Sequence, residues 1–232
     1  MIKSMEKTTN KLILVIKTAV TFTLAVLIFG LSLFLPAGSL KYLNGWIFIG
    51  IFVIPLLCFY ICLYISNPKF LEKRVNIREN EKTQILFRLF MPIVVLISFI
   101  ISGFDYRYHW STISMPTIVI FTLIVLTGNV MSLVVLKQNS YASQSVEIQD
   151  EQKLIDKGLY AIVRHPMYLA YSIIFCFSPF VLGSFYGLIP VVFIPLLMAA
   201  RIINEEKVLL TGLKDYDLYM KKVKYRLIPY IW

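Results

Sequence analysis

Four apolar stretches, near 12–35, 43–65, 85–103 and 115–136, dominate the first half of this chain. Each is long enough to cross roughly 30 Å of hydrocarbon at about 1.5 Å of rise per residue. A backbone surrounded by lipid must satisfy its own N–H and C=O groups, so each stretch is read as a transmembrane helix. Of the 232 residues, 58% are hydrophobic and 16% charged, far from the balance of a soluble domain. The fold class is therefore all-α integral membrane.

The fifth apolar stretch, residues 167–200, would reach about 50 Å as one straight helix, too long for a single crossing. Pro179, Gly183, Ser184 and Gly187 fall in its middle, where they end helices or supply turn geometry. Two shorter helices joined by a tight turn are expected, giving about six transmembrane helices with the last two a helix-turn-helix hairpin. Two regions follow: residues 1–136 with four spans, and residues 137–232 with a cytoplasmic loop, the hairpin and a cytoplasmic tail.

The net charge of +10 raises the question of nucleic acid, but its placement answers it. Apart from Lys41 and Arg107, the Lys and Arg residues fall in segments on one side of the predicted spans or at their edges, as Lys17 and Arg88 do. Snorkelling to the interface accounts for those two edge residues. Such asymmetry is the mark of cytoplasmic loops, so both termini are expected in the cytoplasm, with a bilayer and no nucleic acid as the partner. The basic start and Ala37-Gly38-Ser39 loosely imitate a signal peptide, yet the apolar run exceeds a usual signal core and reads as an uncleaved span.

Cys58, Cys62 and Cys176 lie inside predicted spans, which suits packing; no further ligands accompany them, so no metal is expected. The loop from Ser66 to Gln84 reads as a solvated connector. In the opposite loop, Tyr106, Tyr108, His109 and Trp110 read as an interfacial belt, with Asp105 and Arg107 solvated or paired. Residues 137–164 are longer, more polar and patterned. Ser145-Val146-Glu147-Ile148-Gln149 alternates as a strand, Asp150-Glu151 can turn, and Lys153-Leu154-Ile155 can return, so a small hairpin is expected. Gly158 then allows a backbone turn or close approach to a ligand.

Arg164-His165-Pro166-Met167-Tyr168 stands directly before the fifth apolar run. Several polar groups converging at a membrane boundary are costly to desolvate and mark a functional site by default. Pro166 biases His165 away from helical geometry and suits a first helical turn, which puts His165 at a helix N-terminus with its free amides. Tyr168 and Tyr171 add aromatic faces and hydroxyls. Arg201 and Glu205, spaced i,i+4, share a face of the last helix, with an intrahelical ion pair as the plain alternative; Glu206 follows.

Gly158-Leu159-Tyr160, Val163-Arg164-His165-Pro166-Met167-Tyr168, Glu205-Glu206 with Leu209, Tyr216, Tyr219 and Leu227-Ile228-Pro229 together form an ordered pattern. It resembles the isoprenylcysteine carboxyl methyltransferase family, and the related phospholipid N-methyltransferases share much of it. The likeness covers roughly residues 139–232. It implies an integral-membrane enzyme using S-adenosylmethionine, with the cofactor and a lipophilic substrate meeting at the cytoplasmic face. Carried over by position, Gln149, Gly158, Tyr160, His165, Pro166, Tyr168 and Glu205 line the cofactor pocket, and Arg201 faces the reacting group of the substrate. Ala170, where many relatives have Gly, and Gly212-Leu213 in a shortened spacer depart from the pattern.

A sulfonium cation with an amino-acid end and an adenine needs a carboxylate, backbone amides and an aromatic slot, which Glu205, the helix start at Pro166 and the tyrosines offer. A carboxylate held tightly against sulfur would stabilise the ground state preferentially, so Glu205 is expected at the amino or ribose end. A carboxylate acceptor needs no base, only orientation by Arg201. An amine, thiol or hydroxyl acceptor loses a proton, making Glu206 or His165 candidate bases. Carboxyl O-methylation of a prenylated or otherwise lipophilic molecule leads; phospholipid N-methylation, thiol methylation, an NADPH-dependent membrane reductase of the sterol type and a non-enzymatic lipid-binding or transport protein are the alternatives. No Gly-rich dinucleotide loop, Walker-type loop or metalloprotease helix competes.

Overall fold

Long apolar runs become long helices, which here accommodate even Pro55 and Pro92. In the computed structural model, which describes residues 2–66, 71, 82–139, 141 and 152–232, they are α1 (Ile2–Ala37), α2 (Leu43–Ser66), α3 (Lys82–Tyr108) and α4 (Met115–Gln138). A 3-10 turn, Gly158–Ala161, leads to α5 (Pro166–Val181), the short α6 (Leu188–Val191), α7 (Phe193–Gly212) and α8 (Tyr216–Lys222). No strand occurs among the described residues. The hairpin expected from residue 145 lies largely outside them, and its described part, Lys153-Leu154-Ile155, is not a strand.

Among the described residues, five helical segments are long and apolar enough to cross a membrane: Ile13–Ala37, Leu43–Ile65, Ile85–Tyr108, Met115–Gln138 and Leu188–Gly212. The chain is a multi-pass integral membrane protein. The remaining apolar helix, α5, has 16 residues and so spans about 24 Å. The break in the fifth apolar stretch comes later than Pro179 suggests. Pro179 stays inside α5, and the turn falls at residues 182–187, where Gly183 takes φ +77°.

α1 runs along α3 and α4 along α5, while α2 contacts α4 and α3 also meets α6 and α7. Leu33, Phe48, Phe99, Val125, Ile174, Ile194 and Met198 fill the centre. Val20, Leu24, Leu35, Leu123 and Leu196 point outward and stay exposed, the pattern expected when the surrounding solvent is lipid. Helices in lipid gain by close approach, which small residues permit. A Cβ on Gly103 of α3 would stand 2.5 Å from the Leu33 carbonyl oxygen of α1, so this crossing requires glycine.

At the end of the bundle bearing the α3–α4 loop, the structure corrects the reading of Asp105. It is buried and accepts hydrogen bonds from Ser111 N (2.7 Å), Ser111 Oγ (2.6 Å) and Ser184 Oγ. Ser184 Oγ in turn accepts from Gly187 N (3.0 Å), and Ser98 Oγ donates to the Gly187 carbonyl (2.8 Å). Two hydroxyls and a backbone amide satisfy this carboxylate. Tyr108 and Trp110 remain exposed and stacked, their centroids 5.8 Å apart.

Candidate active site

Residues 164 and 165 are held from outside their own element. Arg164 N donates to the Tyr225 carbonyl and His165 N to the Arg226 carbonyl, both at 2.9 Å, so the tail is bonded to the approach to α5. Arg164 Nη1 donates to the carbonyls of Val223 (2.8 Å) and Lys224 (3.0 Å), and its Nε to Glu206 Oε1 (2.7 Å). Arg226 Nε reaches Glu206 Oε2 at 2.8 Å, and His165 Nε2 lies 3.3 Å from Glu206 Oε1. Arg164, His165 and Glu206 are all buried, and a buried carboxylate is tolerable only with this density of partners.

Glu206 therefore has both oxygens committed to the strap between α7, the α5 approach and the tail. It is not among the residues that line the adjoining cavity. On this geometry Glu206 ties α7 to the α5 approach and to the tail.

One turn away the arrangement differs. Arg201 Nε donates to the Tyr168 hydroxyl at 2.7 Å, and that hydroxyl donates to Glu205 Oε2. The Arg201 guanidinium also lies 4.5 Å from the centre of the Phe87 ring on α3, a cation–π contact. His165 and Tyr168 stack with centroids 5.7 Å apart.

Arg201, Tyr168 and Glu205 sit in a cavity of about 620 Å³. One side is polar and aromatic, with Tyr160, His165, Tyr216 and Tyr219; the other is apolar, with Phe29, Met91, Pro92, Phe175 and Met198 drawn from four different helices. The tail closes the polar side: Tyr219 OH donates to the Tyr160 carbonyl (2.7 Å), Asn139 Nδ2 donates to Tyr160 OH (2.9 Å), and Lys222 Nζ pairs with Asp156 (2.9 Å). Burial pushes the Tyr160 phenol up to about 12 and raises those of Tyr216 and Tyr219, so all three stay neutral hydrogen-bonding groups. Lys222, by its hydrogen bond, holds the Asp156 carboxyl below its ordinary value.

Of the residues carried over from the motif, Tyr160, His165, Tyr168, Arg201 and Glu205 all reach the cavity, although they span 45 positions in sequence from three separate segments. Gly158 and Pro166 do not line it. Gly158 takes φ +64° and packs against the Gln138 side chain, whose Oε1 accepts from Leu159 N (3.1 Å). It therefore turns the chain off the end of α4 so that Tyr160 faces inward. Pro166 opens α5, and the amides of Tyr168 and Leu169 close onto the His165 carbonyl at 3.1 and 3.2 Å, so they are not free for a ligand. Gln149 lies outside the described residues. Motif reading missed the contributions of α1 and α3, because Phe29, Phe87 and Met91 look like any lipid-facing residues until the helices are packed.

Residues 118–211 match the model of the isoprenylcysteine carboxyl methyltransferase (ICMT) family. The resemblance read from the sequence is thus supported by an independent comparison. The ICMT match starts within α4, takes in the Gly158–Ala161 turn and the Arg164 to Tyr168 motif, and ends on α7 beyond Glu206; the tail lies past it. No curated protein matches the chain.

Proposed function

We propose that this protein is an integral-membrane methyltransferase using S-adenosylmethionine, acting on a lipophilic acceptor by carboxyl O-methylation. The observation that carries the reading is the Arg201–Tyr168–Glu205 chain, set where the polar and apolar sides of one cavity meet. The match to a methyltransferase family over residues 118–211 supports the reaction class. A volume of about 620 Å³ lined by both apolar and polar side chains is of the size of a small-molecule site.

The residues present fit the cofactor. The buried Tyr216 hydroxyl has no hydrogen-bond partner among the described residues and belongs to a cavity-lining side chain, as a ligand-binding donor would. When bound, S-adenosylmethionine supplies a methyl group on a sulfonium centre. Glu205 is suited to its amino or ribose end, with Tyr160, His165 and Tyr216 around the remaining polar parts. Tyr168 holds Glu205 and Arg201 at fixed separation, so the carboxylate that receives and the guanidinium that orients an acceptor keep their geometry. Glu206 is committed elsewhere and Glu205 is engaged by Tyr168, which favours an acceptor that is already anionic and gives up no proton. Arg201 is the group to orient it.

In this reading residues 137–232 carry the chemistry at the cytoplasmic face, both termini are cytoplasmic, and residues 1–136 supply spans whose α1 and α3 side chains complete the acceptor side. The test is transfer of labelled methyl from S-adenosylmethionine into extracted membrane lipids and small lipophiles, followed by identification of the product. Base-labile label is expected, as a methyl ester requires. Titration in detergent giving NADPH binding with no response to S-adenosylhomocysteine would sink the proposal.

A further inference from the structure

Arg88 stands in the fourth position of the Ile85–Tyr108 span, where a guanidinium is costly unless it reaches water or an anion. Snorkelling explains how such a charge is tolerated, but not where it is put. Arg88 lines the cavity, and it makes no hydrogen bond or ion pair with any described residue. Its side chain is exposed, hence accessible to a ligand.

The surroundings specify the ligand. Phe87, next in the chain, carries the Arg201 guanidinium on its ring, so two cations border the same stretch of α3. Met91 and Pro92, one turn further into the membrane, continue the cavity wall beside Arg88 toward Met198 and Phe175. Among the described residues that line the cavity Glu205 is the one carboxylate, and Tyr168 engages it. The region at Arg88 is therefore cationic at its mouth and apolar in its depth.

The geometry points to Arg88 as a docking residue for the anionic head of an amphiphile, whose hydrocarbon follows Met91, Met198 and Phe175. The inference rests on the reading above in taking this side of the cavity as the acceptor side. Arg88 is a specificity residue: it favours acidic over neutral amphiphiles without touching the cofactor.

Binding of palmitate, dodecyl phosphate and palmitamide to the detergent-purified full chain tests this, alongside titration with S-adenosylhomocysteine. The wild type should bind an anionic amphiphile about tenfold or more tighter than palmitamide, the scale of one charge-assisted hydrogen bond. Arg88→Gln should erase that preference, Arg88→Lys should keep most of it, and affinity for S-adenosylhomocysteine should stay within about twofold in both, since one rim charge is removed and no cofactor contact. Loss for both anions supports a general anion seat; loss for palmitate alone supports a carboxylate seat. Equal binding of palmitate and palmitamide by the wild type, or an intact preference in Arg88→Gln, overturns the inference, as does an equal loss of S-adenosylhomocysteine affinity. A wild type that ignores S-adenosylhomocysteine yet shows Arg88-dependent palmitate binding would reject the methyltransferase reading and leave the anion site standing.

Discussion

The Tyr168 hydroxyl accepts a hydrogen bond from Arg201 Nε and donates one to Glu205, so a residue of α5 links a cation and a carboxylate that both belong to α7. A phenol serves both roles at once because it is donor and acceptor. The two charges are thereby locked to a neighbouring helix, which an intrahelical ion pair alone would not do.

Tyr168→Phe keeps the ring and removes only this link. Loss of a hydrogen bond to charged groups costs about 1.5–3 kcal/mol, so affinity for S-adenosylhomocysteine or methyl transfer should fall by about tenfold to a hundredfold. Calorimetric titration and labelled-methyl assay measure the two separately. A variant equal to wild type in both would remove Tyr168 from the site.

The adjacent glutamates should behave differently. Glu206→Gln unbalances Arg164 and Arg226 in a buried setting, and removal of one buried partner costs about 3–5 kcal/mol, read as a large drop in thermal midpoint. Glu205→Gln should unfold close to wild type but lose ligand-induced stabilisation. Thermal scans with and without S-adenosylhomocysteine distinguish them; the reverse pattern would exchange tether and ligand-binding group.

Asp105→Asn puts an amide NH₂ where Oδ1 accepts from Ser111 N or where Oδ2 accepts from the Ser111 and Ser184 hydroxyls, so one or two of the three donors lose their acceptor. About 1–3 kcal/mol of stability should disappear. Because the site lies at the other end of the bundle, titration should return an unchanged S-adenosylhomocysteine affinity for the folded fraction.

Alkaline pH should loosen the tail. The Tyr160 phenol is raised to about 12 in the folded protein from an ordinary value near 10, so folding favours its neutral form. Its contribution is fully present below about pH 10 and is lost as pH rises toward about 12, where the unfolded chain ionises first. Tyr160→Phe should show a shallower fall in thermal midpoint over that window. An identical slope in wild type and variant would contradict the assignment.

Much of this was legible in the sequence, and for physical reasons. Lipid demands long apolar helices, so α2 and α4 fall within two residues of the expected bounds, while α1 starts ten residues before its apolar run and α3 extends five residues beyond its own, because a helix can continue past the stretch that lipid requires. The cavity-lining residues His165, Tyr168, Arg201 and Glu205 stand out because polar groups are rare at such a boundary, whereas Tyr160 is singled out only through the family resemblance. What could not be read depends on three-dimensional pairing. Glu205 and Glu206 are neighbours of one residue type, and a helix turns each toward a different environment: one meets Tyr168, the other two arginines. Asp105 looked like a loop charge until Ser111 and Ser184 came round it from separate segments. Arg88 looked like a charge at a span edge, and only the packing of α3 set it on a cavity wall.

The backbone pairing of Arg164 and His165 with Tyr225 and Arg226 has a consequence for biogenesis. The helices that bury most of the apolar surface can enter the bilayer and associate while the ligand pocket still lacks a wall. Residues 223–226 must emerge from the ribosome before Glu206 gains Arg226 and Arg164 gains its carbonyl partners. Assembly of the site is thus a late event, separable in time from membrane insertion.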